Sequence, residues 1–256
     1  MAEDNGTNHS IELTESIGVD DSIEVNLRSY FSHNHILSAA YLAREAGKLE
    51  AEHTDDPPDP PEERDEVWTT HQSHVITSLI SSVSFLESTV LELFTDICDD
   101  GQRVEELDPE FCRKVQVLDA HVDDFLNGLS PIEKFQLALD LDGSQRFDTG
   151  AQPYQDAYLL KQLRNYLLHH EPDSVQAHPQ LENPPTSVAR GLQTKGFDRN
   201  PLMTGPFFPN QCLSHGCAAW GVTTSLEFAD AFFHRLDMEP PYEHLRSRLA
   251  TAPEER

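Results

Sequence analysis

One long stripe of mostly apolar side chains constrains this chain more than any other feature. Its members recur at three- and four-residue steps: Val67, His71, Val75, Leu79, Val83, Leu86, Val90, Leu93, Phe94 and Ile97. This spacing places them on one face of an α-helix, whereas a half-buried strand would alternate at every second residue. The stripe therefore predicts one long helix that ends before Gly101.

Shorter stripes and capping signals predict further helices. We expect them from Asp21-Ser22 to the residues before Asp55, from Asp108 to Asn127-Gly128, from Ser130 to about Leu141, from about Gln152 to Glu171, and from about Ser214 to Leu236. Ser130 and Glu133 have the spacing of a capping box. Since no alternating apolar pattern indicates a sheet, the expected fold class is all-α: an antiparallel bundle of five or six helices with a long irregular loop before the last one.

The length of 256 residues favours a single domain. We expect residues 1–20 to form an acidic, flexible leader and residues 239–256 to form a polar C-terminal tail. The helical bundle between them, residues 21–238, should contain a surface loop at 51–65, where prolines and carboxylates alternate, and a long loop at 172–211.

The charge of the chain is strongly negative. Asp and Glu number 45 against 18 Lys and Arg, which gives a formal net charge of −27. This excess, with few lysines, is typical of adaptation to molar salt, where surface charges repel one another less. The chain carries no basic stripe for a nucleic acid, so such a partner would need a local basic patch.

Several classes of protein and site are not indicated. The N-terminal residues lack a secretory signal pattern and no apolar run is long enough for a membrane span, so we expect a cytoplasmic protein with free cysteines and no membrane partner. No P-loop, dinucleotide fingerprint or nucleophile elbow is present, and no cofactor is expected. Cys212, His215 and Cys217 are weakly indicated metal ligands, because they lack paired C-x-x-C ends. If they bind a metal, the chain is a small metal-binding regulator, a less favoured alternative.

The candidate reaction centre is a cluster of polar residues near the end of a predicted helix: Arg164, Asn165, His169 and His170. On a helical projection Arg164 falls in an apolar seam with Leu160 and Leu167, so its guanidinium needs a partner. One interpretation pairs Arg164 with a carboxylate of the long helix, Glu87 or Glu92, and leaves the histidines as helix-terminal residues. The other interpretation assigns the partner role to a phosphate.

Arg164, Asn165 and His169 resemble the Arg-x4-His signature of the HEPN superfamily, small helical bundles in which the motif lies late in the chain and includes a polar residue after the arginine. The resemblance implies a metal-independent ribonuclease of toxin, antiviral or RNA-processing type, which is often a dimer and regulated by a cognate protein. His169 would then transfer a proton to or from a ribose 2′-hydroxyl, Arg164 would stabilise the phosphate, and Asn165 would orient one of them. His170 would supply a second proton-transfer group.

The resemblance also leaves room for a different function, since some HEPN proteins have lost activity and serve as helical modules that bind a protein or a nucleotide. The chain departs from one pattern of the family: Glu171 stands where some toxin members carry a tyrosine that is modified to control them. That mode of control is therefore not expected here. Glu171 also adds negative charge beside the expected phosphate site.

Overall fold

The computed structural model describes residues 29–99, 107–122, 124–169 and 187–253, together with two short strands. The strands, β1 (Glu15–Ser16) and β2 (Glu24–Val25), pair antiparallel. The helices are α1 (Phe31–His53), α2 (Pro61–Cys98), α3 (Pro109–His121), α4 (Pro131–Asp142), α5 (Tyr154–His169), α6 (Ser187–Gln193) and α7 (His215–Arg235). A π-helical turn at Phe207–Gln211 precedes α7, and a 3₁₀ helix at Glu243–Arg248 follows it. The predicted all-α bundle is confirmed.

The long helix α2 is the centre of the bundle and contacts α1, α3, α4, α5 and α7. Every member of the predicted stripe from His71 to Ile97 is buried. The helix starts with Pro61 at its first position and Glu62 and Glu63 in its first turn, as favoured at a helix N-terminus. Only seven residues, 54–60, connect α1 to α2, which makes these two helices an antiparallel pair.

The start of α1 differs from the prediction, because the helix begins at Phe31 and Glu24–Val25 lies in β2. The apolar spacing of Ile23, Leu27 and Tyr30 resembles a helical stripe, but a contact with α2 determines where α1 begins. The backbone N–H and hydroxyl of Ser32 donate to Glu92 at 2.9 and 2.6 Å. Glu92 thus accepts one of the N–H groups that a helix start leaves without an internal partner.

The capping signals of α3 and α4 are confirmed. The Asp108 carboxylate accepts the backbone N–H groups of Glu110 and Phe111, and Ser130 and Glu133 form a reciprocal capping box. Helix α3 ends at His121, earlier than the predicted Asn127-Gly128. The connection instead turns at Gly128, whose φ of +80° suits a residue without a side chain.

Two segments expected to be irregular or solvated contribute to the core. Within the predicted loop at 172–211, α6 buries Val188, Ala189 and Leu192, so that part is a packed helix. The segment expected to be a polar tail also turns inward, and Tyr242 is completely buried. Its ring contacts Phe85 and Phe233, which explains why the segment does not remain in solvent.

Helix α2 is also the one helix among the described residues that is long and apolar enough to cross a membrane, judged by length and composition. Half of its most apolar window is buried inside the bundle. Neighbouring helices thus cover part of this apolar window.

Candidate functional site

The candidate site lies on the last two turns of α5. The buried face of this helix consists of Ala157, Leu159, Leu160 and Leu163. Of the predicted seam, Leu160 is buried, whereas Arg164 and Leu167 are half-buried and lie at the edge of the buried face. Because α5 packs against α2 and α4, the Arg164 side chain lies near charged residues from both of those helices.

Arg164 contacts a carboxylate and an amide. Its Nη2 atom lies 3.4 Å from Oε2 of Glu87, and its Nη1 atom donates to Oδ1 of Asn165 at 3.0 Å. The Arg164 side chain is 18 % exposed, so it is only partly covered by its neighbours. Glu87 is thus the partner of Arg164, while Glu92, the other candidate, accepts the hydrogen bonds from Ser32 at the start of α1.

A second cation shares this carboxylate. Nζ of Lys134, on α4, lies 3.5 Å from Oε1 of Glu87, and the Lys134 side chain is only 8 % exposed. Both contacts to Glu87 are at the long end of hydrogen-bond geometry, so neither is a strong bond. Two cations and one carboxylate leave this group of side chains with one positive charge in excess. The chain as a whole has a net charge of −27, so these three side chains differ in sign from the molecule around them.

His169 is exposed and is the last residue of α5. Five positions separate it from Arg164, which on an ideal helix corresponds to about 140° of rotation and about 7.5 Å along the axis. Asn165, by contrast, lies one turn before His169 and on the same face. Asn165 accepts a hydrogen bond from Arg164 and lies on the helix face that carries His169. His170 lies outside the described residues.

The candidate metal ligands do not form a metal site. Cys212 is buried and its thiol donates to the carbonyl of Pro209, whereas the ring Nε2 of His215 lies 2.9 Å from the carbonyl oxygen of Thr251. Burial raises the pKa of the Cys212 thiol to about 12 and the pKa of Cys217 well above its usual value. Both thiols are therefore protonated at neutral pH in this arrangement. Across the described residues no cluster of three metal-ligating side chains occurs.

A buried polar network on the other side of α2 was not predicted. His71 is completely buried and its Nε2 lies 2.8 Å from the Glu50 carboxylate of α1. The same carboxylate oxygen accepts the backbone N–H of His215 at 2.7 Å, at the first position of α7. Asn200 lies against the other nitrogen of His71 at 3.4 Å and donates to the carbonyl of Leu213. The one sequence signal was the histidine within the apolar stripe.

Comparison with known protein families, with curated proteins and with solved structures finds no significant match to this chain.

Proposed function

We propose that the α5 end is an RNA phosphate site and that the protein is a HEPN-like, metal-independent endoribonuclease. The observation that carries the proposal is the position of Arg164: it is partly exposed, bonded to Asn165, and lies next to Lys134, so that two cations meet one carboxylate. A phosphate bound beside Arg164 would meet a planar guanidinium, which can donate to two phosphate oxygens at once. The Lys134 ammonium lies nearby and adds a second positive charge.

The reaction follows from the chemistry of these side chains. The ribose 2′-oxygen attacks the adjacent phosphorus, and the bond from phosphorus to the 5′-oxygen of the next nucleotide breaks. His169 accepts the proton of the 2′-hydroxyl, and a second imidazole donates a proton to the leaving oxygen. His170, or the His169 of a second copy of the chain, is that second group. Arg164 stabilises the additional negative charge on the phosphate.

The test is cleavage of single-stranded RNA at high salt in the presence of EDTA. We expect cleavage to leave 2′,3′-cyclic phosphate ends, because the attacking oxygen belongs to the same ribose. Arg164→Ala should reduce the rate by about 10²–10³-fold and His169→Ala by about 10²–10⁴-fold. Arg113→Ala is the matched control, since Arg113 is 63 % exposed and pairs with Glu110 on α3. Absence of cleavage by the wild type, or equal cleavage by the His169 variant, would contradict the proposal.

A second candidate function is a catalytically silent helical module that binds a protein or a nucleotide. The observation in its favour is that Glu87 already provides Arg164 with a carboxylate. In that case Arg164 serves only the packing of α5 on α2. The wild type should then leave RNA intact. Arg164→Gln and Glu87→Gln should each lower the melting temperature, and the double variant should lower it by less than the sum of the two single effects. Cleavage lost specifically in the His169 variant would exclude this function.

A further inference from the structure

A pocket away from α5 lies between the outer face of α1 and the C-terminal segment. Its volume is about 560 Å³, within the range of roughly 300–1,000 Å³ that small-molecule sites occupy. Tyr41 and Arg44 line it from α1, and Ser247 and Arg248 line it from the C-terminal segment. The two walls are separated by about 200 residues in the chain and are brought together by the packing of the 3₁₀ helix on α1.

Two guanidinium groups line this pocket. Nη1 of Arg44 donates to the carbonyl of Arg248 at 3.2 Å and also to the carbonyl of Ala250, which fixes the C-terminal segment against α1. Arg248 is exposed. Within the described part of the chain, neither arginine forms an ion pair with a carboxylate. The pocket therefore presents positive charge that no acidic side chain of the described residues neutralises.

The aromatic ring of Tyr41 lies beside the guanidinium groups in this pocket. Tyr41 is 54 % exposed, which is unusual for a side chain of this size, and the Arg44 guanidinium lies 6.0 Å from the centre of its ring. A flat ring of a ligand can stack on an exposed tyrosine, and phosphate oxygens can accept bonds from the free N–H groups of the arginines. The hydroxyl of Ser247 adds a small polar group to the same wall.

From this juxtaposition we propose that the pocket binds a small organic phosphate that carries an aromatic ring, with the phosphate on Arg44 and Arg248 and the ring on Tyr41. The proposal does not depend on the function of the α5 site, since it rests on different elements. Because Arg44 also holds the carbonyls of Arg248 and Ala250, the bound ligand would stabilise the C-terminal segment on α1.

The experiment is calorimetric titration of the full chain with AMP, adenosine and inorganic phosphate at one fixed salt concentration. AMP should bind at least tenfold more tightly than either fragment, because only AMP fills both halves of the pocket. Arg248→Gln and Tyr41→Leu should each weaken AMP binding by about tenfold or more. Both side chains are exposed, so these variants should fold, and an unchanged melting temperature would show it. Arg113→Gln, which alters an exposed arginine of α3, should leave AMP binding unchanged.

Three results would overturn the proposal. The first is no AMP binding by the wild type at millimolar concentration. The second is an Arg248→Gln variant that binds AMP as tightly as the wild type. The third is adenosine binding as tightly as AMP, which would remove the role assigned to the guanidinium groups.

Discussion

His74, on α2, has a buried Nδ1 atom without a hydrogen-bond partner among the described residues. Burial lowers the pKa of His74 below its usual 6.5, although the nearby Glu45 carboxylate acts in the opposite direction. Burial also lowers the pKa of His35 on α1. Both histidines therefore bind a proton more weakly in the folded chain than in the unfolded one, which links their protonation to stability.

We expect the contribution of His74 to the melting temperature to fall as the pH is lowered through and below 6.5, because the unfolded chain then takes up a proton that the folded chain resists. The stability contributed by neutral His74 is fully present above pH 6.5. It is lost as the pH falls from 6.5 through the lower pKa that His74 has in the folded chain. Melting curves from about pH 5 to 8 test this. His74→Gln should reduce the slope, with the exposed His121→Gln as control. An identical slope in the His74 variant would show that this histidine does not contribute.

The residues of the candidate site illustrate what a sequence can and cannot predict at this scale. A carboxylate partner for Arg164 could be expected on the long helix, but the choice between Glu87 and Glu92 depends on where α1 places Ser32. Lys134 could not be foreseen, because its burial becomes evident only when α4 packs on α2. The pairing of His71 with Glu50 likewise requires the register of α1 against α2.

At the scale of elements, the sequence predicted a helix correctly where its own residues carry the pattern. It failed where contacts with another helix determine where an element begins or ends. The stripe of α2 and the caps of α3 and α4 are local patterns and are confirmed. The start of α1 is determined by Glu92 of another helix, so spacing alone extended it too far. Helix α6 has only seven residues. An apolar stripe cannot repeat two or three times in so short a segment, so its spacing does not predict the helix.

The capping box of α4 provides a test at this scale. The Ser130 hydroxyl, which Ser130→Ala removes, accepts the backbone N–H of Glu133, while the backbone N–H of Ser130 donates to the Glu133 carboxylate at 2.7 Å. Hydrogen bonds from Ser130 lower the pKa of Glu133. Ser130→Ala should lower the free energy of unfolding by about 1 kcal/mol. Urea titration measures this change. Ser73→Ala, at an exposed position in the interior of α2, should change it by less than about 0.5 kcal/mol. An equal effect of both substitutions would contradict a specific cap.

The charge of −27 is a property of the whole molecule. The 18 Lys and Arg can neutralise at most 18 of the 45 carboxylates, so like charges repel across much of the surface. This repulsion raises the free energy of the compact state, since unfolding separates the charges. Dissolved salt weakens it, because the screening length falls from roughly 30 Å at 0.01 M to roughly 3 Å at 1 M.

We therefore expect the melting temperature to rise as KCl is increased from about 0.01 to 1 M. Circular dichroism measures the transition. A parallel series in sorbitol of matched osmolality separates screening from the general effect of reduced water activity, and it should give a smaller increase. A melting temperature that is constant or lower in KCl would show that charge repulsion does not limit the stability of this fold.

The contact between Arg44 and the carbonyls of Arg248 and Ala250 has a consequence for the order of events during synthesis. More than 200 residues separate the two sides of this contact. On the ribosome, α1 and α2 emerge early and can pair through a short connection. The outer face of α1 gains its contacts with the C-terminal segment only when the last part of the chain has been synthesised. Until Tyr242 is synthesised, the Phe85 ring lacks the edge-to-face contact that the Tyr242 ring makes with it. Premature termination near residue 240 should therefore give a product that chaperones recognise.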